Sequence, residues 1–75
     1  MNKRAPLYER IREARLARGL TQRGVADAVG YRREWVAKLE RGRIYSPELS
    51  YKLARLLKVR ARADDFFTRP PGGTP

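Results

Sequence analysis

Apolar residues recur along this chain at spacings of three and four, the period of a helix with one buried face, and the pattern breaks at glycines and prolines. Leu7, Ile11 and Ala14 share one face of a first helix, with Pro6 suited to its first position and Gly19 to its closing cap. Thr21 offers a capping hydroxyl for a short second helix, in which Val25, Ala26 and Val29 lie together before Gly30 ends it. A third helix is predicted over residues 32–41: Val36 and Leu39 fall on one side, Arg33, Ala37, Lys38 and Arg41 on the other, and Gly42 stops it. The fourth opens on Ser46, Pro47 and Glu48, which supply a capping hydroxyl, a preset φ and an acid facing the helix dipole. Leu49, Leu53, Leu56 and Leu57 are its predicted apolar stripe, with Ala54 beside them for a close neighbour. Beyond Val59 the period breaks over residues 60–63, and Asp64, Asp65, Phe66 and Phe67 read as one last helical turn.

The ends carry no such pattern. Residues 1–5, with Lys3 and Arg4, read as a basic arm, and residues 69–75, with three prolines and two glycines, as a tail that cannot propagate a helix. One domain over residues 6–68 is what a chain of 75 residues can support, since small domains bury too little surface for a second core. Five prolines, six glycines and two phenylalanines argue against an extended β architecture, so the expected class is all-α.

Charge changes the picture from fold to partner. Eighteen Lys and Arg against eight Asp and Glu leave a formal +10, a density that favours a polyanionic partner, nucleic acid first. Most of the cations are arginines, whose planar fork pairs bidentately with phosphate or guanine. With neither cysteine nor histidine, the chain offers no disulfide, no thiol chemistry, no zinc site of the usual ligands and no imidazole catalysis. Neither a metal nor a cofactor is expected. Nor is an enzyme, because the chain shows no nucleophile–base pair and no glycine-rich phosphate loop. It has no run of about 18 apolar residues and no cleavable leader, so no membrane association and a cytoplasmic address are expected.

Two helices joined by a short turn must approach closely at their junction, which demands particular residue types at fixed offsets. With Gln22 as the first position, Ala26 is small where the helices touch and Gly30 supplies the positive φ of the turn. Val25, Val29, Tyr31, Val36 and Leu39 fall where apolar anchors are needed. The run GLTQRGVADAVGYRREWVAKLERG, residues 19–42, resembles the Cro and phage-repressor type of helix-turn-helix, the xenobiotic-response-element family, whose five-helix pattern extends over roughly residues 6–67. The resemblance implies a compact five-helix, lambda-repressor-like domain. It also implies that the third helix docks in the major groove of double-stranded DNA, with a homodimer on a palindromic operator.

Residue roles follow from the same resemblance. Gln22 corresponds to the family glutamine that anchors to phosphate, and Arg33, Glu34 and Lys38 stand at slots that face base edges, with Arg33 suited to guanine and Glu34 to cytosine. Arg32 replaces the usual Ser or Thr cap and puts a cation at the positive helix end, which a phosphate or base acceptor would relieve, so it joins the base-reading group. Arg41, Arg43 and Tyr45 are placed to grip the backbone, with Arg10 and Arg23 as further candidates. Gly24 departs from the family glutamate that completes a capping box, so a weaker second helix is expected. Arg15 and Glu40 match a family ion pair that orients the third helix.

Trp35 is expected to pack over the start of the fourth helix in preference to stacking on a DNA sugar. One of Phe66 and Phe67 is a candidate dimer contact, and Asp64 and Asp65 are read as dipole partners of the last turn. The function expected is a small transcriptional regulator, a repressor of phage Cro-like, restriction-modification controller or antitoxin type. The alternative is an adaptor that holds a toxin or polymerase subunit and has only nonspecific DNA affinity.

Overall fold

The computed structural model describes residues 5–67, so residues 1–4 of the expected arm and the whole expected tail lie outside the described part. Among the described residues there are five helices and no strand: α1 (Leu7–Ala17), α2 (Gln22–Val29), α3 (Arg33–Glu40), α4 (Pro47–Leu57) and α5 (Ala63–Phe67). The all-α, five-helix class is as the sequence leads one to expect, and none of these helices is long and apolar enough to cross a membrane.

Local chemistry sets most of the boundaries. Pro6 stands one place earlier than expected, as the cap of α1, and its carbonyl accepts from the N–H groups of Glu9 and Arg10. At the far end Gly19 adopts φ +67, which lets the Leu20 N–H reach the Arg15 carbonyl at 3.1 Å. The Thr21 hydroxyl accepts from the Gly24 N–H at 3.0 Å, so half of the capping box forms without the missing glutamate. The Ser46 hydroxyl does the same for Leu49 at 3.3 Å, with Pro47 opening α4. Helix α3 is one residue shorter at each end than the expected 32–41, because Arg32 is extended (φ −77, ψ 149) with no side-chain cap and Arg41 already leaves the helix. Helix α4 ends on Lys58 in the left-handed region (φ 56), a position usually given to glycine. The Val59 N–H bonds the Ala54 carbonyl at 2.8 Å, and Val59 packs against the core.

Leu7 and Ile11 of α1, Val25 and Ala26 of α2, Val36 and Leu39 of α3, and Leu49, Leu53 and Leu57 of α4 form one apolar core. Burial of each α4 leucine is worth about 1.5–3 kcal/mol. Leu56 does not belong to that stripe: it is 39% exposed, a correction to the periodic reading. It stands at the edge of the arc through Leu49, Leu53 and Leu57, where the rotation of about 100° per residue carries it out of the core. Helix α5 packs on α4. The Asp65 carboxylate accepts from the Arg62 N–H at 2.8 Å, which caps α5 from within its first turn.

Candidate nucleic-acid interface

The corner between α2 and α3 decides which side of α3 meets solvent. Gly30 takes φ +77, and the Tyr31 N–H bonds the Ala26 carbonyl at 2.9 Å, so the chain reverses tightly after α2. Val36, Leu39 and Glu40 then fill the inward arc of α3, while Arg33, Glu34 and Lys38 are exposed on it, with Arg32 and Arg41 exposed at its ends. Arg23 is exposed on α2, Arg43 is exposed just after α3, and Tyr45 is half-buried between α3 and α4. Six cations, Arg23, Arg32, Arg33, Lys38, Arg41 and Arg43, thus share the corner and α3 with the acid Glu34. No group of three or more His, Cys, Asp or Glu among the described residues is placed to hold a metal.

Behind that face runs a continuous polar relay. Arg15 Nε and Nη2 donate to the two Glu40 carboxylate oxygens at 2.7 and 3.0 Å, and Arg15 Nη1 donates to the Leu20 carbonyl at 2.8 Å. Arg15 and Glu40 are both buried, a geometry in which removing one partner strands the other charge. Gln22 Nε2 donates to Glu40 Oε1 at 3.1 Å, and Gln22 Oε1 accepts from Arg33 Nη1 at 3.3 Å. The relay therefore leads from the interior of α1 through the end of α3 and the start of α2 to an exposed guanidinium. No buried side-chain nitrogen or oxygen among the described residues lacks a partner.

One expectation is corrected, that for Arg10. Trp35 is 44% exposed, with Lys38 Nζ 5.3 Å from its ring centroid. Tyr31 packs against the core, with Lys52 Nζ 5.4 Å from its ring centroid. Desolvation, and then a hydrogen bond to Glu48 at the head of α4, raise the Tyr31 hydroxyl above its ordinary pKa. Tyr31 thereby meets the first turn of α4. Arg10, a candidate for gripping phosphate, has its guanidinium held elsewhere: Nε donates to the Ala5 carbonyl at 3.0 Å, Nη1 to the Arg60 carbonyl at 2.7 Å, and Nη2 pairs with Asp65 at 3.1 Å. It staples α1 to the α4–α5 connection. Sequence spacing carries no signal for a partner 50 residues away.

Comparison with known proteins agrees with this geometry. The helix-turn-helix family model matches residues 11–62. An uncharacterized HTH-type transcriptional regulator of Archaeoglobus fulgidus is 47% identical over 60 residues, covering 77% of this chain and 81% of that protein. A second from the same organism is 42% identical over 60 residues, covering 77% of this chain and 80% of its own. One from Methanothermobacter thermautotrophicus is 44% identical over 59 residues, covering 76% and 83%. No solved structure gives a significant match. Fold and corner define a lambda-repressor-like DNA-binding domain. The chain belongs to the helix-turn-helix family and, within it, to the Cro/C1 type.

Proposed function

We propose that the protein is a sequence-specific regulator of transcription that lays α3 in the major groove of double-stranded DNA. The observation that carries this reading is the outward face of α3, where Arg33, Glu34 and Lys38 stand exposed beside Arg32, past a corner that turns Val36 and Leu39 inward. The names of the archaeal relatives support the regulatory role. Arg33 and Lys38 offer donors to guanine, Glu34 accepts from cytosine, and Arg32 adds a donor at the uncapped start of α3. Gln22, Arg23, Arg41, Arg43 and Tyr45 fix the register on phosphates. The protein acts in the cytoplasm as a homodimer on a palindromic operator, with half-sites about one turn of DNA apart, and represses by occupying the site.

Selection of duplexes from a pool with a randomised segment, followed by footprinting, tests the proposal. Enrichment of a two-fold symmetric site, bound at least about a thousandfold more tightly than the unselected pool, is the expected result. Binding without enrichment overturns it and leaves the adaptor with nonspecific DNA affinity.

A further inference from the structure

Trp35 is the sole tryptophan of the chain, and 44% of it is exposed on the flank of α3 that also carries Lys38. An indole left this exposed calls for an account beyond packing, and its neighbour supplies one. Lys38 has two attractive partners within reach: the indole face three residues back, and the Glu34 carboxylate four residues back, at the spacing where helical ion pairs form. The ammonium sits over the indole, 5.3 Å from the ring centroid, and no ion pair joins it to Glu34. The two opposite charges of this face thus stand unpaired with each other.

We infer that Trp35 is a positioning residue: it holds the Lys38 ammonium on the ring face, so that Lys38 meets a guanine edge while Glu34 stays open to accept from cytosine. This rests on the proposed base-reading role of α3. A lysine is a flexible point charge that pairs with any phosphate in reach, so confining its head converts a general attraction into a directional one. The ring face supplies that confinement at little desolvation, because ammonium and indole remain in contact with water.

The test uses a duplex selected from the randomised pool, a set of its single-base-pair substitutions, and the unselected pool as reference. Lys38→Ala is expected to flatten the preference at one base pair. Trp35→Leu is expected to weaken discrimination at that same base pair about twofold to fivefold, the range set by an exposed cation–π contact. Its affinity for the unselected pool should stay within about twofold and its melting temperature unchanged. Trp35→Phe, which keeps a ring face, should retain most of the discrimination, and the double variant Trp35→Leu/Lys38→Ala should be no worse at that pair than Lys38→Ala alone. If Lys38→Ala flattens a base pair that Trp35→Leu leaves intact, or if Trp35→Leu weakens selected and unselected duplexes equally, the positioning role is wrong while base reading stands. If neither Lys38→Ala nor Arg33→Ala alters any base preference, base reading by α3 fails, and the positioning role with it.

Discussion

Gln22 Nε2 donates to Glu40 Oε1 across 3.1 Å, which ties the first residue of α2 to the last residue of α3. The corner at Gly30 joins the two helices through the chain, and this bond joins them again away from it. The same amide accepts from Arg33, so one side chain links the buried carboxylate to an exposed cation. Replacing Gln22 by alanine should lower stability by about 1 kcal/mol, roughly 4–8 °C in a domain of this size. It should also relax discrimination at the base pair that Arg33 reads. Thermal melts and competition binding check the two outcomes separately.

Glu40 is the hub of the relay, and its loss should be far more damaging. Glu40→Ala leaves the Arg15 guanidinium buried without its carboxylate, at a cost of about 3–5 kcal/mol, and should drop the melting temperature by more than about 10 °C or unfold the domain. Arg15→Met/Glu40→Leu should recover much of that loss, because the double change removes both charges from the interior. An unchanged melt for Glu40→Ala contradicts the assignment.

Asp65 predicts a pH dependence. The Arg62 N–H holds its carboxyl below the ordinary 3.8, burial opposes the shift, and the Arg10 guanidinium adds to it. A carboxyl whose folded pKa lies below its unfolded one stabilises fully above the unfolded value, and that contribution is lost as pH falls through the folded value. The melting-temperature gap between the wild type and Asp65→Asn should therefore be constant near neutrality and close below about pH 4. A gap that persists in acid counts against this pairing.

Gly42 is held by both conformation and space. It adopts φ +69, and a Cβ there would lie 2.7 Å from Tyr8 Cζ. Gly42→Ala should destabilise by about 1–2 kcal/mol from the left-handed backbone alone, before any steric cost. Adding Tyr8→Ala should remove only the steric share, so alanine at position 42 should still be unfavourable in that background. Denaturant melts of the four proteins in this cycle measure both shares.

The parts of the fold that were legible in sequence are those set by neighbours along the chain. Thr21 and Ser46 cap with their own hydroxyls, and Gly19, Gly30 and Gly42 take the left-handed turns that end their helices. Lys58 ends α4 in the same conformation without glycine's permissiveness, held by the Val59 bond to Ala54 and by the packing of Val59, so its residue type gave no warning. Leu56 misled because a leucine at helical spacing looks the same at the centre of a stripe and at its edge. Arg10 was misplaced because its surroundings are fixed by tertiary contacts with Arg60 and Asp65. Exposure of Arg33, Glu34 and Lys38 was readable because Val36 and Leu39 fix the inward side of a short helix.

Base reading by the outward face of α3 stands or falls with Arg33→Ala, measured beside Arg43→Ala on selected and unselected duplexes over a salt series. Arg33→Ala should cost about 1–3 kcal/mol on the selected duplex and flatten the preference at one base pair. Arg43→Ala should weaken all duplexes about equally and reduce the salt slope by about one. Equal losses for Arg33→Ala on selected and unselected duplexes would show that Arg33 does not read a base.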